Sequence, residues 1–150
     1  MRGPHAKFRS GRAAAHSPTD RAALAKSLGL PAGSADDEYL AVLSEHLPKV
    51  FEAARPQLVF YQAGVDPHEA DRFGRLNLTS SGLKKRNKMV FDAAVGADAR
   101  LVLTMGGGYP RDLDVASAPF SAVMQSHMDC YRACVAAQAG LWRRRGRSKI

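Results

Sequence analysis

After the turn signal Pro31-Ala32-Gly33, apolar residues recur at three- and four-residue spacing: Leu40, Leu43, Leu47, Val50 with Phe51, and Ala54. That period predicts an amphipathic helix, with Ser34 to Asp37 supplying its capping residues. Pro48 falls inside it and removes one backbone donor, so a kink is expected near its middle unless the helix restarts there. Arg55-Pro56 ends the helix, and Leu58-Val59-Phe60-Tyr61 follows as an unbroken apolar run, the pattern of a strand covered on both faces. It stops at Ala63-Gly64. A polar loop with Asp66, His68, Glu69 and Asp71 leads to Thr79 or Ser80, either of which caps a second helix. Leu83, Val90, Phe91 and Ala94 mark the buried side of that helix, and Lys84, Lys85, Arg86 and Lys88 are read as its solvated face. Leu101 to Met105 is a second apolar run, ended by Gly106-Gly107-Gly108-Tyr109-Pro110. From Ser117 onward Phe120, Val123, Met124, Met128, Tyr131 and Val135 predict a long closing helix that frays near Trp142.

Helix, strand, helix, strand, helix is the alternation of an α/β fold: a parallel sheet with helices on both faces. A strand joined to the next through a helix makes a right-handed parallel crossover, so the carboxyl ends of both strands share one rim. Ligands of open α/β sheets bind at that rim, and the loops around Asp66 and Tyr109 both leave from it.

At 150 residues, with 45% hydrophobic and 24% charged residues, the chain fits a single soluble domain and is too short for two. No apolar run approaches the roughly 20 residues needed to cross a bilayer, and no short apolar core of a secretory signal opens the chain. A soluble, intracellular protein without a membrane partner is expected, in nucleus or cytoplasm if eukaryotic, with an organelle as an alternative. The net charge of +8 sits at the two ends. Residues 1–26 hold six basic residues against Asp20, and the tail from Arg143 to Lys149 holds five with no acid, which leaves 11 basic and 13 acidic residues between them. With the positive charge confined to the ends, direct nucleic-acid binding is not expected. Residues 1–26, poor in large apolar side chains, are expected to be a disordered basic leader, although an Arg-rich, acid-poor start also resembles a transit peptide. Residues 27–142 form the domain and 143–150 a basic tail. Cys130 and Cys134, one helical turn apart, read as two buried thiols on a core-facing stripe.

Taken alone, Asp66 at the end of a buried strand suits a cation, a proton or a turn cap. Three glycines after the second strand permit close backbone approach, and they match neither a dinucleotide fingerprint nor a P-loop. Tyr109 beside them offers a hydroxyl donor. His68-Glu69 lacks the second His of a helical metalloprotease motif, and His46 and His127 are read as surface or satisfied core residues.

Together these pieces resemble the histone deacetylase family. Arg55 to Asp66, continuing through Asp71-Arg72-Phe73-Gly74 to Leu76, is similar to the segment that supplies the aspartate ligand of the zinc. Leu101 to Tyr109 resembles the strand and glycine loop that place the catalytic tyrosine, and Asp36-Asp37-Glu38-Tyr39-Leu40 the start of the helix before the metal strand. The wording is nearest to the class IV branch and its bacterial counterparts, and the resemblance runs from Leu28 to Arg132. It implies an arginase/deacetylase-like fold present in part, with Asp66 as a metal ligand, Tyr109 as the catalytic donor, Gly107 and Gly108 lining the substrate tunnel, and Asp71 and Gly74 ordering the loop. It further implies zinc as cofactor, and as substrates acetylated lysine of histones or other proteins, or small acetylated amines. In the family the other two ligands, an Asp and a His two residues apart, and a His-His base precede this region. No such pair stands upstream of Asp66, and no His-His occurs in the chain. Catalytic zinc needs about three protein ligands, so the chain alone is expected to be inactive. A non-catalytic remnant that binds a partner is the other reading.

Overall fold

A computed structural model of the chain describes residues 28–147. The leader and its expected disorder lie outside the described residues. The ordered part is α1 (Asp36–Ala54), β1 (Leu58–Gln62), α2 (Ser80–Gly96), β2 (Arg100–Thr104) and α3 (Ala118–Arg147). The two strands pair in parallel, with Leu58 opposite Arg100 and Gln62 opposite Thr104, so the expected crossover forms and both strands end on one rim.

α1 follows the predicted apolar stripe, with Leu43 and Leu47 buried. Its capping differs from expectation. The Ala35 N–H donates to the Glu38 carboxylate at 3.1 Å, while Asp36 turns away from its own helix and accepts from the Thr79 N–H at 2.9 Å and the Thr79 hydroxyl at 2.7 Å. Thr79 in turn caps α2 by accepting from the Gly82 N–H at 3.1 Å. Pro48 lies on the exposed side of an uninterrupted helix, as does Ser44, whose carbonyl it leaves without a helical donor. Arg55 closes α1 in the left-handed region at φ 42°, its N–H returning to the Phe51 carbonyl.

The core joins α1, α2 and α3 to one face of the sheet: Leu43, Leu47, Val59, Tyr61, Val90, Phe91, Ala94, Leu101 and Cys130. Tyr61 meets Phe91 edge-on with ring centroids 5.7 Å apart, and its hydroxyl donates to Asn87 Oδ1 at 2.7 Å. Three expectations fail here, all for the same reason. The strands were read as covered on both faces, yet Phe60 is 54% and Val102 36% exposed, so among the described residues the helices cover only the face bearing Val59, Tyr61 and Leu101. Arg86 was read as solvated, yet it is 5% exposed. Along α3 the buried positions are Val123, Ser126, Cys130 and Leu141, while Met124, Met128, Tyr131 and Val135 stand out to solvent. Hydrophobicity marks which residues can be buried, and the set of neighbours present decides which are. α3 also continues past Trp142 to Arg147 and takes in much of the basic tail. Cys130 is buried and Cys134 half-buried, both as free thiols, and burial pushes the Cys130 thiol up to about 11.

Candidate functional site

Where β1 and β2 end, the two loops lock together. The Ala63 N–H donates to the Thr104 carbonyl at 3.1 Å, and the Val65 N–H donates to the Gly107 carbonyl at 2.6 Å, extending the parallel pairing past both strands. Glycine is required at this crossing. A Cβ on Gly106 would come within 2.6 Å of the Gly64 Cα, and one on Gly107 would overlap the Asp66 carboxylate. Gly108, at φ +152°, has the His127 Nε2 at 2.5 Å and the Val65 Cβ at 3.0 Å from where its Cβ would stand. Thus Asp66, Gly107 and Gly108 lie together, as the shared rim requires.

Asp71 is the fastener. It is 1% exposed; its Oδ1 accepts from the Phe73 N–H at 2.8 Å and the Gly74 N–H at 2.6 Å, and its Oδ2 accepts from the Tyr109 N–H. The Arg72 N–H then donates to the Tyr109 carbonyl and the Arg111 N–H to the Ala70 carbonyl, each at 2.9 Å. Asp71 therefore ties Phe73 and Gly74 of its own loop to the backbone of Tyr109. Gly74 sits so close beneath the Asp66 carbonyl that any Cβ would overlap it. The Tyr109 ring is 51% exposed and meets Phe73 edge-on at 5.5 Å, with the Arg72 guanidinium 4.6 Å from the Phe73 centroid.

By spacing, Asp66-Pro67-His68 is itself an aspartate and a histidine two residues apart. The geometry removes His68 from the site: its ring is buried, Nδ1 accepts from the Ala70 N–H at 2.9 Å, and Nε2 shares a hydrogen bond of 2.9 Å with the Ser80 hydroxyl. Burial lowers its pKa, which keeps the ring neutral. His127 behaves in the opposite way. Read from the sequence as a bystander on the closing helix, it reaches Gly108 and the field of Asp66. Only the packing of α3 across the glycine loop brings it there. Desolvation lowers its pKa against the pull of Asp66. Asp66 itself is half-buried; desolvation raises its carboxyl above the ordinary value and Asp71 adds to the rise, while its own backbone N–H, Arg86 and His127 oppose it.

Among the described residues no three His, Cys, Asp or Glu side chains converge as a metal site would require. The described residues do not by themselves fit zinc. They offer the Asp66 carboxylate against Gly107, and a Tyr109 whose backbone N–H is held by Asp71.

The model of the histone deacetylase domain family matches residues 10–125. The match begins inside the leader, upstream of Leu28 where the resemblance was read to start, and ends before Arg132. An uncharacterized protein of Picosynechococcus sp. is 38% identical over 104 residues, spanning 69% of this chain and 35% of its own length. Histone deacetylase 2 of Arabidopsis thaliana is 36% identical over 77 residues, 51% of this chain and 20% of its own length. A probable deacetylase of Archaeoglobus fulgidus is 33% identical over 84 residues, 55% of this chain and 23% of its own length. A crystal structure of the HDA15 HD domain superimposes on 76% of this chain and 36% of its own at 18% identity, with a TM-score of 0.43. The chain thus spans between a fifth and about a third of the length of these relatives.

Proposed function

The chain belongs to the histone deacetylase family, and on that premise we propose that residues 27–142 are the C-terminal part of a zinc-dependent domain that removes acetyl groups from lysine. The observation that carries the reading is the joined rim: the Asp66 carboxylate lies against Gly107, and Asp71 holds the backbone of Tyr109. Asp66 contributes one metal ligand. The Tyr109 hydroxyl donates to the acetyl carbonyl oxygen as negative charge develops on it, an interaction whose loss typically costs about 2.7–4 kcal/mol. By the family resemblance, Gly107 and Gly108 line the approach taken by the stem of the acylated side chain. The remaining ligands and the proton acceptor would come from the rest of the domain, and zinc would be held only where they join Asp66. The family suggests acetylated substrates; on this reading they are a lysine on a histone or another protein, or a small acetylated amine.

The test has two arms. The purified chain with added zinc is expected to release no acetate from acetyl-lysine peptides. A chimera in which this chain's matched residues replace their counterparts in Histone deacetylase 2 of Arabidopsis is expected to turn over, and to lose about 100- to 1,000-fold in kcat when Tyr109→Phe is introduced. A chimera whose activity ignores both Tyr109→Phe and Asp66→Ala would sink the assignment. A chain that is inert in every combination and binds a partner instead would favour the remnant reading.

A further inference from the structure

Arg86 is a buried cation whose place in the fold the site does not yet explain. A guanidinium taken out of water loses several kcal/mol of hydration unless its donors are used, and none of the ion pairs among the described residues includes Arg86. Its fork is spent on neutral acceptors. Nη1 donates to the Gly64 carbonyl at 2.8 Å and Nη2 to the Ala63 carbonyl at 3.5 Å, while Nε and Nη2 donate to Asn87 Oδ1 at 3.1 and 3.0 Å. The Tyr61 ring lies 5.8 Å from the guanidinium carbon, and the Tyr61 hydroxyl completes the set on Asn87 Oδ1.

The two backbone acceptors are the last carbonyls before the Val65-Asp66 turn. At the same point Gly64 is already in close contact with the other loop: a Cβ there would stand 2.6 Å from Asp66 Oδ2 and 3.3 Å from the Gly107 N. One side of this backbone therefore supports the carboxylate, and the other is gripped by Arg86. We propose that Arg86 is the positioning residue of the Asp66 turn, fixing the Ala63 and Gly64 carbonyls from behind so that the carboxylate stands over Gly107. This rests on the reading of Asp66 as a ligand. A filler of the α2–β1 interface needs no charge, since well-packed apolar residues of like volume often serve buried positions equally well. A planar fork with five donors is suited to holding two successive carbonyls and a side-chain amide at once. The field of Arg86 also reaches Asp66, where it favours the ionised carboxylate.

The experiment compares the intact chain with Arg86→Lys, Arg86→Met and Arg86→Ala by amide hydrogen exchange and two-dimensional NMR. In Arg86→Met the Val65 and Ala63 amides, which bridge to Gly107 and Thr104, are expected to lose protection by about tenfold or more relative to the Val90 amide. Arg86→Lys keeps the charge but reaches fewer acceptors, so it should fall between. Ethylguanidinium added to Arg86→Ala is expected to return the Val65 and Gly107 signals toward their wild-type positions. Protection lost uniformly across the core, or Met serving as well as Arg, would overturn the proposal. Should Arg86→Met fail to fold, Arg86→Lys decides: a selective loss at Val65 and Ala63 supports the proposal, and unchanged exchange there refutes it. If the turn loosens as expected while the active chimera tolerates Asp66→Ala, the ligand reading fails and the positioning role stands.

Discussion

The glycines of the rim divide into two kinds according to what a methyl group would strike. At Gly107 it meets the Asp66 side chain, which can swing away; at Gly74 it meets the Asp66 backbone, which cannot. Gly107→Ala is therefore expected to displace the carboxylate at less than about 1 kcal/mol of stability, whereas Gly74→Ala is expected to cost about 1–3 kcal/mol, both read by urea unfolding. The sequence marked the glycines after β2 for close backbone approach, but which atoms each one approaches appears only in the structure. His68 sets a pH dependence. Its folded pKa is depressed by burial below the ordinary 6.5, so the unfolded chain binds more protons as the pH falls. Stability is then full above about pH 6.5 and declines as the pH drops toward the folded value. Replacing His68 with Gln should flatten that decline in thermal unfolding across about pH 5–7 and leave the part due to His127, which shifts the same way. Asp66, raised above 3.8, acts in a separate acid window and with opposite sign: its contribution is present at low pH and fades as the pH rises through its folded value.

Between elements, the decisive link is Asp36. Its position in the first turn of α1 reads as an ordinary helix-start acid, and the structure spends it on the start of a different helix, at Thr79. Gly82 makes the approach possible, because a Cβ there would overlap the Asp36 carboxylate. Asp36→Ala is expected to destabilise the chain by about 1–3 kcal/mol, since it strands the Thr79 N–H at a helix end. A double-mutant cycle with Thr79→Ala should return a coupling of about 0.5–3 kcal/mol. Additive losses would mean that the contact carries no stability. The same connection explains why α2 starts where it does: the acid lies 43 positions before the cap in sequence, and the two meet only after α1 packs on α2. For Arg86 the failure of sequence reading has a similar origin. Four cations within five positions look like a solvated face, yet one of them falls on the buried arc of the helix beside Leu83 and Val90.

As a whole, the described molecule is a two-stranded parallel sheet covered on one face, with Phe60 and Val102 bare on the other and no further strand on either edge among the described residues. Parallel sheets ordinarily have both faces covered. The isolated chain is accordingly expected to self-associate at micromolar concentration, and Phe60→Lys with Val102→Lys should shift it toward monomer in sedimentation velocity while leaving its melting temperature within a few degrees. A monomeric wild type would contradict this. The alternation of periods and the two glycine-ended apolar runs were enough to establish the order of elements, the parallel pairing and the meeting of Asp66 with the glycine loop, because chain chirality and the C-terminal rim follow from local rules. The wording of the motifs led to the same family that the comparisons identify. What only the tertiary structure decided is which side chains face which neighbour: Arg86 inward, His68 away from the site, His127 toward it, and Met124, Met128, Tyr131 and Val135 of α3 outward. Those assignments depend on contacts between segments far apart in the chain, and no period within a single segment encodes them.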